Sequence, residues 1–261
     1  RLTLDGISVT ADGTVQNWEA VTVRNGSMDF GSALTVGSGT DLGLIADSGG
    51  IISTSGNFNL TGDLALLMMG MFLNRSAAPA SLNIDGDIRN AGVIDLADGV
   101  VGDVITTTGN YTGGGALHLD VDAATDTADT LVIGGDVLAG GTTIYVNDAS
   151  TGAASTNDIL LVDVAGTTIE DDFQLEEERV ELSGARYALN LVGTQWFLQL
   201  ALIPQNQSYQ PYLQNLNALM ELSDHRHRVH DRAWLAGGRD CDHSKTVACK
   251  DQGLWVKFIA D

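Results

Sequence analysis

Residues 187–200 read YALNLVGTQWFLQL, an aromatic β ending in which apolar and polar residues alternate through strand-like runs joined at a hairpin turn. Before it, from Asp129 on, the stretches DTLVIGGDVLAGGTTIYVND, DILLVDVAG and FQLEEERVELSGAR share this character, with longer strands, hairpin turns and the bulkiest aromatics of the body. Residues 1–128 differ. They hold short bursts such as SGNFNLTGDL, SLNIDGDIRNAGVIDLADG and TTTGNYTGGGALHLDVD, each four to six residues of alternation ending at Gly, Asp or Asn, residue types that tolerate positive φ.

Bursts at such spacing fit a sandwich or barrel as well as a solenoid. Near-identical units favour the solenoid: Ile84-Asp-Gly-Asp-Ile88, then Ala91-Gly-Val-Ile-Asp-Leu96. In a right-handed parallel β-helix each coil takes roughly 20 to 25 residues and stacks on its neighbours, because one coil cannot bury its apolar edge alone. Asn and Asp at the corners are then structural. A solenoid also needs its open ends capped against edge pairing, and 129–203 supply that cap. The expected fold class is all-β: a parallel β-helix over 1–128, a hairpin-rich cap over 129–203, a linker α-helix over 204–238, and a Cys loop with one strand over 239–261.

Past the cap, Ser208 can cap a helix that starts at Tyr209, tolerates Pro211 in its first turn and ends at Gly237-Gly238. Its apolar residues include Leu213, Leu216 and Met220, after which SDHRHRVHDR is polar on all sides. That half cannot face lipid but suits the water-filled lumen of a barrel. At 1.5 Å per residue, roughly 28 residues reach about 42 Å, enough to thread a hydrocarbon core of about 30 Å. An ordinary amphipathic surface helix is the competing reading.

This order of pieces resembles the passenger-to-barrel junction of bacterial type V autotransporters of the pertactin kind. The matching cap residues are Gly184, Tyr187, Leu189, Trp196, Phe197 and Leu198; the linker-helix pair is Asp231-Arg232; the barrel start is Trp255, Val256 and Lys257. For 1–128 the resemblance is compositional. It implies a surface-exposed stalk or adhesin, exported through the periplasm to the bacterial cell surface or outer membrane, with later release left open. The cap would be an autochaperone that nucleates folding. Implied partners are the protein's own outer-membrane β-barrel translocator and the outer-membrane assembly machinery, besides a host or cell-surface ligand or self-association.

The charge is uneven. Residues 1–200 carry 27 of the 34 acidic side chains, six Arg and no Lys, whereas 201–261 balance at seven of each sign. Such a body repels phosphate backbones and anionic headgroups, so nucleic acid is a poor partner. Arg1 begins in a β-like segment without signal-peptide features, so the chain reads as a mature protein or a fragment. Its most apolar run, LALLMMGMFL from Leu64 to Leu73, is ten residues, half the roughly 20 of a membrane-spanning helix. It reads as one doubly buried strand or a turn of core helix; alternatively Leu67, Met68, Met69, Met71 and Phe72 form an adaptable interaction patch.

Cys241 and Cys249 enclose seven residues and read as a small disulfide loop of an oxidising compartment. A metal site competes, since His225, His227, His230 and His243 are close by, but CxxC and HExxH spacings are missing. No cofactor is expected.

Catalytic signals are thin. Asp47-Ser48-Gly49-Gly50 is similar to a serine-nucleophile loop, but His118 is the body's one histidine. Asp120, Asp122, Asp126 and Asp129 could form a Ca²⁺ site or the carboxylates of a secreted polysaccharide lyase or glycoside hydrolase. No basic residue lies near them in sequence to hold an acidic sugar, so they read as a polar turn and the chain as no enzyme. The run Glu176, Glu177, Glu178 and Glu181 reads as a solvated edge.

Overall fold

The computed structural model describes residues 1–11, 15–30, 34–36 and 43–201. Over them the chain winds as a parallel β-solenoid, all-β and without a helix. Three sheets form its walls. The first stacks Leu2–Asp5, Val21–Arg24, Leu44–Asp47, Leu64–Leu66, Ile88–Asn90, Tyr111–Thr112 and Val137–Ala139. Register partners along it are Leu2, Val21, Leu44, Leu64, Ile88, Tyr111 and Val137. Differences between those numbers give coils of 19, 23, 20, 24, 23 and 26 residues, so six turns separate the first strand from the last. The second sheet runs from Ser8–Ala11 to Phe173–Leu175, and the third from Val15–Trp18 to Ile159–Val164.

Period-two alternation decides which residues face inward. Parallel register stacks like on like: Ile52, Phe72, Ile94, Leu117 and Ile144 form one inner row of the second sheet, each fully buried. Each such side chain contributes about 1.5–3 kcal/mol. Phe30, Phe58 and Phe72 pack ring against tilted ring across the core, with centroids 6.0 and 5.7 Å apart.

The Asp-Gly-Asp unit is the corner between the third sheet and the first. There Asp63, Asp87, Asn110 and Asp136 form a ladder, each side-chain oxygen accepting the backbone N–H of the next rung: Asp87 at 2.8 Å, Asn110 at 2.7 Å, Asp136 at 2.9 Å and Thr167 at 2.8 Å. The preceding glycine is required for space. A Cβ on Gly135 would lie 2.5 Å from Asn110 Oδ1.

The Leu64–Leu73 run is not one strand or a helical turn. Leu64–Leu66 belongs to the first sheet and Met71–Asn74 to the second, with a corner between them. Leu67 N–H donates to Ala46 O at 2.8 Å and Gly70 N–H to Leu67 O at 2.7 Å, closing a turn that forces Met68 and Met69 to φ of 34° and 68°. Hydropathy hid a corner made of apolar residues.

Parallel winding passes through the expected boundary at 128/129: Thr130–Ile133 pairs with Val104–Thr107 as earlier coils do. It gives way at Ile159–Val164, whose next neighbour, Gln195–Leu200, is antiparallel. The linker helix with Leu213, Leu216, Met220, Asp231 and Arg232, the pair Cys241 and Cys249, and the strand start Trp255, Val256 and Lys257 lie outside the described residues.

Candidate functional site

The cap is built from Val180–Leu182, Ala185–Val192 and Gln195–Leu200, an antiparallel extension of the third sheet. Two tight turns set its register. Ser183 and Gly184 both have positive φ, 47° and 78°, as a two-residue type I′ hairpin needs, and Gly193 (φ 67°) opens the second turn.

Alternation then points Tyr187, Trp196 and Leu198 into the solenoid's end, where all three are buried, while Leu189 is half-buried against the core. Phe197 is half-buried and Gly184 exposed on its turn. Tyr187 Oη donates to Ser155 O at 2.9 Å, and Trp196 Nε1 donates to Thr168 Oγ1 at 3.2 Å. Polar tips are thereby satisfied while the rings stay dry. Trp196 meets Phe173 edge-on at 5.4 Å, and Phe173 stacks on Tyr111 at 5.7 Å. This aromatic column joins cap to coils. Its lower members, Phe173 and Tyr111, escaped the sequence reading because each is a single aromatic in a short strand; like-on-like stacking was the one available signal.

The remaining candidates separate. Met68 and Met69 are 74% and 78% exposed, Leu67 and Met71 are half-buried, and Phe72 belongs to the core. The five do not form one surface. Ser48 sits in a corner, and three strand steps of the second sheet separate its coil from His118, roughly 14 Å at the usual spacing. His118 instead lies beside Asp95, Nδ1 to Oδ1 3.8 Å, with its ring on Tyr145.

The four aspartates of 120–129 also part company. Asp122 caps its own turn through Ala124 N–H at 2.8 Å, and Asp126 accepts from the Ser155 hydroxyl and from Asn157 Nδ2. Asp120 and Asp129 are fully buried. No cluster of three or more His, Cys, Asp or Glu suited to a metal ion occurs among the described residues.

Residues 102–200, which include the whole antiparallel cap and the last coils, match the Pertactin family. Over this stretch the chain is similar to pertactin-like autotransporter passengers. Similarity to autotransporters extends over the rest of the chain. It is 29% identical over 318 aligned residues to the Adhesin BmaC autotransporter of Brucella suis biovar 1, an alignment covering 100% of this chain and 9% of that protein. It is 28% identical over 203 residues to the Probable autotransporter YfaL of Escherichia coli K12, covering 72% of this chain and 16% of that protein. The Uncharacterized protein YuaQ of Escherichia coli K12 is 30% identical over 107 residues, 40% of this chain and 8% of its own length. The chain thus spans less than a fifth of the length of each of these relatives.

Proposed function

We propose that this passenger segment is a non-catalytic part of a surface-exposed stalk or adhesin, and that its cap nucleates folding as the protein reaches the cell surface. The observation that carries the reading is the contrast between the cap and the coils. The cap closes locally through two tight turns and three antiparallel strands, whereas each coil needs a neighbour already in place. Local closure costs less entropy than pairing across a whole coil. Coils can then stack on the finished cap one at a time.

The adhesin reading draws on the printed name of the Brucella relative and on the exposed Met68 and Met69. Transit through the periplasm, the protein's own β-barrel translocator and the assembly machinery as partners, and release from the cell belong to the same proposal. In the full-length autotransporter, Trp196→Ala or Tyr187→Ala should lower surface display, read by protease accessibility on intact cells, more than substitutions within 1–128. Equal display of cap and coil variants would refute the folding role.

A further inference from the structure

Four carboxylates that the cap does not use meet where the wall departs from regular winding, at the loop 97–103 and the turn 122–129. Asp103, Asp120 and Asp129 are fully buried. Asp129 Oδ1 accepts the N–H groups of Gly102 and Asp103 at 2.9 Å each, and its Oδ2 accepts Asp120 N–H at 2.7 Å. Asp120 accepts Gly99 N–H at 2.6 Å and the amide of Asn147. Asp103 accepts Ala80 N–H at 2.7 Å and the amide of Asn74. Asp98 accepts Val100 N–H at 3.0 Å, while its buried Oδ2 has no partner among the described residues. None of the four is in an ion pair among the described residues.

Four of the loop's N–H groups, those of Gly99, Val100, Gly102 and Asp103, end on this node. Buried carboxylates without a cation repel one another in a medium where charge is poorly screened. A single proton relieves much of that repulsion.

We propose that the node is a pH-operated latch on the loop 97–103, tight while it holds a proton and loosened as that proton leaves. The charged groups facing Asp129 are Asp103 from the loop and Asp120 from the strand Ala116–Asp122. Asp98 and Asp120 face Asp103, and Asp120 and Asp95 face Asp98. Burial raises Asp129 from 3.8 to about 7, against the pull of its N–H donors and with the charges of Asp103 and Asp120 adding to the rise. Burial raises Asp103 and Asp98 as well.

An opened loop returns Asp129 to water and to its ordinary value, so the closed state binds the proton more tightly. Closure is therefore fully supported below pH 3.8 and loses that support as pH rises to about 7. The opening equilibrium gains up to about ten-fold per pH unit across that window and is level above it.

The test is amide hydrogen exchange by mass spectrometry on the whole chain at pH 4.5 and pH 7.5, corrected for intrinsic rates, alongside carboxyl ¹³C titration of Asp129. Protection of 97–103 should fall at least ten-fold at the higher pH, while the strand Leu64–Leu66 stays unchanged, and Asp129 should titrate near 7. Asp129→Asn, which cannot titrate and whose amide nitrogen cannot accept Asp120 N–H, should lower loop protection and make it equal at both pH values. If that variant fails to fold, Asp98→Asn removes a neighbouring charge, and should raise loop protection at pH 7.5 several-fold. Equal protection at both pH values in the native chain, or an Asp129 midpoint below 5, overturns the latch.

Discussion

Trp196→Ala tests whether the aromatic column holds the cap on the coils. The indole is 3% exposed, meets Phe173 edge-on at 5.4 Å and donates to Thr168. Removing a buried Trp leaves a cavity and costs roughly 3–5 kcal/mol, including about 0.5–1.5 kcal/mol from the aromatic pair. A central value of about 4 kcal/mol corresponds to nearly three powers of ten in a local opening equilibrium. Because a stacked array shares stability only between neighbours, the loss should concentrate in Ala185–Val192 and Gln195–Leu200 and fade over one or two coils. Hydrogen exchange by mass spectrometry reads this directly, with a urea titration followed by circular dichroism for the whole chain. Phe58→Ala, at an equally buried site mid-solenoid, is the control and should leave the cap's protection within about three-fold of native, as expected for distant, independent sites. A Trp196→Ala loss below ten-fold in the cap, or one spread evenly over all coils, would refute the reasoning.

Asp87→Ala should cost about 1–3 kcal/mol in urea titrations by leaving Asn110 N–H without its acceptor, whereas Asp87→Asn should be nearly neutral, since Asn110 performs the same task one rung on. Gly135→Ala should destabilise by about 1–3 kcal/mol, its Cβ falling 2.5 Å from Asn110 Oδ1. Asp136 is held below 3.8 by Thr167 N–H and hydroxyl, and Asp126 by Ser155 and Asn157; this support exists above pH 3.8 and is lost as pH falls further. Thermal unfolding should therefore show a decline below that value, opposite in sign to the behaviour of the Asp129 node between 3.8 and about 7. Met69→Asp, at a 78% exposed site, should move Tm by no more than about 2 °C, so that any loss of cell attachment reads contact rather than folding.

Repetition made the solenoid legible. Ile84-Asp-Gly-Asp-Ile88 exposes its role because a corner that must stack on copies of itself has to use the same residue types each time, glycine for room and a short acceptor for the next N–H. The cap was legible through alternation around Ser183-Gly184 and Gly193, where turn chemistry and hydrophobic period agree. Two features were hidden for physical reasons. A corner such as Leu67–Gly70 can be apolar, since its hydrogen bonds come from the backbone and hydropathy carries no sign of the bend. The node of Asp98, Asp103, Asp120 and Asp129 joins residues from two coils, and the closeness of 120, 122, 126 and 129 in sequence suggested a grouping that strand alternation and the turn at 122–126 break apart.

The acidity of the body has a structural source in this geometry. A parallel solenoid stacks corner upon corner, and each corner leaves backbone N–H groups pointing along the axis toward the next. A carboxylate or amide one coil away meets them at 2.7–2.9 Å, and a lysine or arginine, having no acceptor, cannot. Acceptors are therefore favoured at every rung without any cation to balance them, and two arginine–carboxylate ion pairs occur among the described residues. Of 27 acidic side chains in residues 1–200, Asp63, Asp87 and Asp136 at the ladder corners are bound by N–H donors rather than by opposite charge. Their repulsion is screened by salt where they face water and poorly screened where they are buried, so around Asp129, where three buried carboxylates come together, stability should become sensitive to protons.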